Sequence, residues 1–182
     1  MKLVTDNPIT GAAMEALGTP MAVNIVNEGG FFPVNNFKYG YDERAFDISG
    51  EEMAATILVG TDPCASCPIK CGRHTRVKNG KYKGEGGGPE YETLGLLGGN
   101  LGIFNIKAVA KYNYMANELG MDTIELGALL GVFLELCETG KIKESELEAL
   151  EGLKPKFGNE DVIFKLIEIT AYRKGIGDLL AE

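Results

Sequence analysis

The sequence predicts a mainly α, multi-helical domain with irregular glycine-rich loops and a short hairpin. Three observations predict it. Apolar residues recur at i, i+3 and i+4 through the C-terminal half. Capping residues and terminal glycines punctuate those runs. Runs with strand-like alternation are scarce. The 182 residues suit a single domain over 1–182.

The first 48 residues carry the weakest pattern. Gly11 to Leu17 reads as one short helix ending at Gly18. Thr19-Pro20 reads as a second helix start, with Thr as N-cap and Pro in the first turn. Met21, Ala22, Ile25 and Val26 form its apolar face, and Gly29-Gly30 stops it. Phe31 to Tyr41 is aromatic and irregular, a loop expected to cover a core or a ligand. Ser49-Gly50-Glu51-Glu52 is a capping box for a helix through Met53, Ile57 and Leu58 that ends near Gly60. Val77 to Gly88 is basic and then glycine-rich, and Asn79-Gly80 is a two-residue hairpin signal.

The later elements are clearer. Asn105 caps a helix carrying Ile106, Val109, Ala110, Asn113 and Ala116 on one face, closed by Gly120. Asp122 caps the next, which runs through Ile124, Leu129, Leu130, Phe133, Leu134 and Leu136 to Gly140. The polar run Lys141 to Leu153 holds one more short helix. Asn159 to Lys174 is the clearest amphipathic segment, with Ile163, Leu166, Ile167 and Thr170 on one side and Gly175 closing it.

Charge and composition exclude several roles. Lys plus Arg is 18 against 26 for Asp plus Glu, a net charge of −8. A surface that acidic argues against binding nucleic acid through its phosphates. Glycine, 25 of 182 residues, is nearly twice the ~7% of average proteins, yet it forms no repeat. No stretch offers the ~18–20 apolar residues of a membrane span. The terminus Met1 to Pro8 lacks the apolar core of a signal peptide. The expectation is a cytoplasmic protein with no membrane contact.

Three of the four cysteines, Cys64, Cys67 and Cys71, fall within eight residues at C-x2-C-x3-C spacing. Such a loop can aim three thiolates at one centre, as iron–sulfur ligand runs do. Arg73, His74 and Arg76 follow, and their positive charge would offset an anionic cluster. Zinc is a second reading, although it normally takes two cysteine pairs or a later histidine pair, and His74 is the single histidine. Structural thiols without metal are a third. The radical S-adenosylmethionine enzymes use the reverse spacing. Cys137 lies in the apolar run Val132 to Cys137, where a free cysteine is core packing.

Four motifs occur in order: Cys64-x2-Cys67-Pro68-Ile69-x-Cys71-Gly72-Arg73, Gly88-Pro89-Glu90-Tyr91-Glu92-Thr93, Asn100-Leu101-Gly102-Ile103, and Asn117-Glu118-Leu119-Gly120-Met121-Asp122-Thr123-Ile124. Together they resemble the tungsten-containing aldehyde ferredoxin oxidoreductases. The resemblance reaches upstream to Gly18-Thr19 and downstream to Glu182, so it covers nearly the whole chain. It is a resemblance to the middle, helical domain of that family, without the N-terminal pterin-binding domain or the last domain.

The resemblance implies a four-iron, four-sulfur cluster with Cys64, Cys67 and Cys71 as three ligands. The family's fourth ligand lies in the last domain, so Cys137 does not match it. It also implies tungsten, or molybdenum, held by two pterins in the complete enzyme. Glu92 matches a glutamate facing that site and proposed to move protons. Tyr91 and the segment Asn117, Met121 and Asp122 match pterin contacts. The sequence departs from the family's D-x-x-G-L-D pattern at Asn117 and Met121, which leaves hydrogen bonding at the first position but no charge. Lys111 stands where the best-known members carry a glutamate for a lone inter-subunit iron, so no such iron is expected.

Without the resemblance, Glu90 and Glu92 read as exposed acids in a first helical turn, and Asn117 to Asp122 as a plain helix–turn–helix. The partners implied are the missing domains or subunits, ferredoxin and a small aldehyde. Three classes of function remain open: part of a tungstopterin oxidoreductase, a non-catalytic iron–sulfur electron-transfer module, and a metal-free structural piece. The isolated chain is expected to be inactive, with an exposed cysteine loop and a mobile Gly84–Gly88 stretch.

Overall fold

The computed structural model describes residues 2–182. Met1, read above as part of a terminus without a signal core, lies outside them. In chain order the helices are α1 (Lys2–Thr5), α2 (Met14–Leu17), α3 (Ala22–Glu28), α4 (Gly50–Thr56), α5 (Tyr91–Thr93), α6 (Ile106–Leu119), α7 (Thr123–Glu138), α8 (Glu160–Ala171) and α9 (Ile176–Leu180). A small antiparallel sheet, β1 (Leu58–Thr61), β2 (Arg73–Val77) and β3 (Gly84–Gly87), sits between α4 and α5 in sequence. The domain is mainly α, as the periodicity predicts.

The long helices follow their caps. Asn105 Oδ1 accepts from Lys107 N at 3.1 Å, Asp122 Oδ1 from Ile124 N and Glu125 N at 2.9 and 2.8 Å, and Asn159 Oδ1 from Val162 N at 3.4 Å. Each satisfies amides that the helix itself leaves free. Gly120 ends α6 in the left-handed region. Ile106, Val109, Ala110, Asn113 and Ala116 are all buried, as are Ile163, Leu166, Ile167 and Thr170 of α8. On α7 the core residues are Leu126, Leu130, Phe133 and Leu134, whereas Ile124 and Leu136 stay largely exposed. α6 and α8 pack together, with the Tyr112 ring edge-on to Phe164 at 4.9 Å. Among the described residues no single helix is long and apolar enough to cross a membrane.

The first half departs more from expectation. A π-helical turn, Pro8–Ala13, precedes α2. Val23, not Ile25, fills the core from α3. The capping box forms, with Ser49 Oγ accepting from Glu52 N at 3.2 Å, but α4 stops at Thr56 and Leu58 begins β1. The predicted extension to Gly60 is wrong because Leu58, Gly60 and Thr61 pair with β2 across a bulge. The hairpin exists, pairing His74 with Gly87 and Val77 with Gly84. Its connection is longer than two residues, and Gly80 turns it at φ +86°.

The expected mobile stretch Gly84–Gly88 is instead strand β3 and its continuation, bonded by Gly88 N to Arg73 O at 2.8 Å. Its glycines have a packing reason. A Cβ on Gly84 would lie 2.6 Å from the Tyr114 ring, so the strand is bare where α6 presses that ring against it. Tyr114 Oη meets Thr75 Oγ1 at 2.7 Å, and Asn113 Nδ2 donates to Gly87 O at 2.8 Å. Lys141 to Leu153 forms two short 3-10 turns, Glu144–Glu146 and Glu148–Leu150, rather than one helix. Only Leu150 there is buried. α8 ends at Ala171, and Gly175 precedes α9.

Candidate functional site

The cysteine loop bridges β1 and β2. Asp62 N donates to Gly72 O at 2.8 Å and closes its neck, and Cys67 N to Cys64 O at 3.0 Å turns its tip. Ser66 and Lys70 take positive φ. Cys64 is exposed, and Cys67 and Cys71 are half-buried. The three thiols share one loop, but among the described residues no three His, Cys, Asp or Glu side chains converge closely enough to hold a metal ion. The donor set still suits iron–sulfur chemistry: soft thiols at ligand-run spacing in one loop, with Cys64 exposed. Cys137 packs on the core from α7, and burial pushes its thiol up to about 11.

Arg73 fixes the base of this loop. Its side chain is buried, and its guanidinium donates to the carbonyls of Met14, Glu15, Ala16, Lys70 and Cys71. Burial lowers its pKa, while Glu90, Cys71 and Glu15 act against that shift. Gly18 makes the contact possible. It sits at φ +68°, and a Cβ there would lie 2.6 Å from the Cys71 carbonyl oxygen.

Next to Gly18, Thr19 does not cap a helix as predicted; Gly18 holds that position. Thr19 Oγ1 instead donates to Glu90 Oε2 at 2.5 Å and accepts from Tyr91 N at 2.9 Å. The cysteine loop is thereby tied to the start of α5. Tyr91 is half-buried, 6.5 Å from the Phe32 ring, and burial raises its pKa. Glu92 is exposed on the next position. Thr93 Oγ1 then meets Thr123 Oγ1 at 2.8 Å, which joins α5 to the first turn of α7. A second π-helical turn, Leu94–Gly98, follows directly.

Met121 and Asp122 line a cleft of about 460 Å³, together with Leu119, Thr170, Arg173 and Leu180. The buried Thr170 Oγ1 has no hydrogen-bond partner. A polar ligand such as a pterin fits that unmet hydroxyl. One Asp122 oxygen caps α7, so the other is left for a ligand. Asn117 is exposed at the end of α6 and, like Tyr91 and Glu92, is not part of this cleft. The predicted residues therefore form three neighbouring groups, joined through Arg73, Thr19 and Thr93. Sequence reasoning missed Thr19, Thr93 and the burial of Arg73. The only signal for Thr19 and Thr93 was their place inside the quoted motifs.

All 182 residues match the family model described as aldehyde ferredoxin oxidoreductase, domains 2 and 3. The chain is 45% identical over 179 residues to the tungsten-containing aldehyde ferredoxin oxidoreductase of Pyrococcus furiosus, covering 97% of this chain and 28% of that protein. It is 41% identical to the Thermococcus kodakarensis enzyme of the same name, with the same coverage. It is 34% identical over 117 residues to an aliphatic sulfonate oxidoreductase, WOR-like subunit, of P. furiosus, covering 64% of this chain and 18% of that one. The fold matches the active-site complex BamBC of benzoyl coenzyme A reductase with 1,5-dienoyl-CoA at a TM-score of 0.68 and 23% identity, over 99% of this chain and 27% of that chain. The chain thus spans little more than a quarter of the aldehyde ferredoxin oxidoreductases it matches. The cysteine loop, the Glu92 turn and the Asp122 helix start fall inside the family-model match, and the chain belongs to the aldehyde ferredoxin oxidoreductase family.

Proposed function

We propose that this chain is the middle domain of a tungsten-pterin, iron–sulfur aldehyde oxidoreductase. The observation that supports it best is the path of contacts from Arg73 to the loop and α2, from Thr19, which follows α2, to the start of α5, and from Thr93 to α7. That path holds a thiol loop, a carboxylate and a ligand cleft in fixed relation.

The overall reaction is aldehyde plus water to carboxylic acid, two protons and two electrons. The metal and its pterins supply the two-electron oxidation when bound. Cys64, Cys67 and Cys71 would be ligands of a four-iron cluster completed by a residue outside this chain, and that cluster would supply one-electron transfer toward ferredoxin. Glu92 holds and releases a proton next to the reacting water or aldehyde. Its carboxylate makes no hydrogen bond among the described residues, so it remains free for that task. Asp122 and the Thr170 hydroxyl accept or donate to pterin edges, Met121 supplies an apolar wall, and Asn117 and Tyr91 contact the pterin from outside the cleft.

Anaerobic metal analysis of the native assembly tests this reading. Iron with tungsten or molybdenum is the expected result. The isolated chain should reduce viologen with aldehyde at a negligible rate, because the other domains complete the site. Aldehyde oxidation by the pure chain at ordinary enzyme rates (~1–10³ s⁻¹) overturns it.

A further inference from the structure

The cations around the cysteine loop are of two kinds. Lys70 pairs with Glu15 at 2.9 Å. His74 Nε2 lies 2.9 Å from Glu85 Oε1, and Arg76 grips the same carboxylate through Nε and Nη2 at 2.6 and 2.5 Å. These groups are partly exposed and have a counter-charge within the chain. Arg73 is the opposite case. It is 2% exposed, and among the described residues no carboxylate lies within salt-bridge distance of it.

Its guanidinium is instead held by carbonyls. Nε donates to Cys71 O at 3.1 Å, Nη1 to Glu15 O at 2.6 Å and Ala16 O at 3.1 Å, and Nη2 to Met14 O at 3.2 Å and to Lys70 O. Carbonyl dipoles satisfy its donors, and the charges of Glu90 and Glu15 reach it only from beyond salt-bridge distance. An isolated buried charge is costly to maintain. Two of the five carbonyls belong to the cysteine loop, and the other three to α2, so the same group both pins the loop and places a fixed positive charge under it.

We infer that Arg73 is the counter-ion and positioning clamp of an anionic iron–sulfur group held by Cys64, Cys67 and Cys71. The inference rests on the cluster assignment made under Proposed function and goes further in naming which cation serves it. Reduction adds one electron to the group. A fixed positive charge in a low-dielectric site favours the reduced form and raises the potential. The exposed cations, already paired and screened by water, contribute far less.

The test uses the intact protein, purified without oxygen. Arg73→Gln should shift the reduction equilibrium toward the oxidised form by on the order of tenfold, equal to 59 mV for a one-electron couple. It should also release iron to a chelator about tenfold faster. Arg73→Lys should restore the potential but not the retention, because lysine keeps the charge and loses the planar fork. Arg76→Gln, at a cation already paired with Glu85, should move neither quantity.

An Arg73→Gln variant with the potential and iron retention of the parent overturns the inference, and so does an Arg76→Gln shift as large as that of Arg73→Gln. If the neutral variant does not fold, the lysine variant decides: iron release as slow as in the parent overturns the clamp. Parent protein that holds no iron overturns the cluster assignment itself, and the inference with it. The two kinds of failure are therefore told apart by the parent's iron content.

Discussion

The helix group α6, α7 and α8 and the cysteine loop are held by different forces. The helices bury continuous apolar faces, and each begins at a side-chain cap. The loop buries almost nothing of its own. Cys64, Ala65 and Ser66 are exposed at its tip, and its base hangs on backbone bonds and one buried arginine. Burial is non-directional and tolerant. A net of directed bonds is specific, but it fails when one member is removed. The helices are a scaffold that stands on its own contacts, and the loop depends on a few directed bonds at its base.

The sharpest break of this contrast is at the loop. In the intact assembly, Cys67→Ala should abolish the iron–sulfur electron paramagnetic signal, whereas Cys137→Ala should leave it. The reverse pattern would mean that the wrong thiol has been assigned. In the chain without metal, Cys64 should alkylate first and Cys137 last, because Cys137 is half-buried with its thiol held up to about 11.

Glu92→Gln comes next. Aldehyde oxidation by the complete enzyme should fall by about 10²–10⁴, with iron and tungsten contents unchanged. Full activity in that variant removes Glu92 from proton transfer.

In the scaffold, Leu130→Ala and Leu166→Ala should each cost about 2–5 kcal/mol in denaturant unfolding, because both side chains are fully buried. Loss of less than about 1 kcal/mol would show that the helix core is looser than its burial indicates. Asp122→Ala removes the cap of α7 and should cost the chain without cofactor about 1 kcal/mol.

The smallest effect concerns pH. Arg76 and His74 hold the Glu85 carboxyl down to about 2 from 4.5. Its contribution is complete above the ordinary carboxylate value and is lost as pH falls through about 2. Because the ion pair is exposed, a proton-detected titration of Glu85 should show the shift clearly while stability barely responds. A titration midpoint near 4.5 would dissolve the Glu85 pairing.

The same contrast decides what the sequence could reveal. Asn105, Asp122 and Asn159 are local signals, read within three residues of the amides they cap, so α6, α7 and α8 were legible with their faces. β1 was not. Leu58–Thr61 is four residues with a glycine, and its partner begins twelve positions later, so no short-range pattern marks it. The candidate site residues were legible as motifs, because they lie close together in sequence. Its wiring was not. The positive charge at Arg73 is visible in the sequence, but its burial under α2 is a tertiary fact. The Thr19 hydroxyl looked like a helix cap because its real partners lie beyond the reach of any local pattern.

That Thr19 contact has a consequence in time. Its hydroxyl reaches Glu90 and Tyr91 across 71 and 72 residues, and Arg73 reaches Met14, Glu15 and Ala16 across 57 to 59. Contacts this distant must wait for a large loop to close, while α6 and α7 form from neighbours. On a ribosome, residues 14–16 emerge early and must wait for Arg73, and Thr19 must wait for Glu90 and Tyr91. The thiol loop therefore gains its floor only once Arg73 has reached α2, and its tie to α5 later still. Helix content measured during refolding should therefore recover before the Arg73 and Thr19 contacts form.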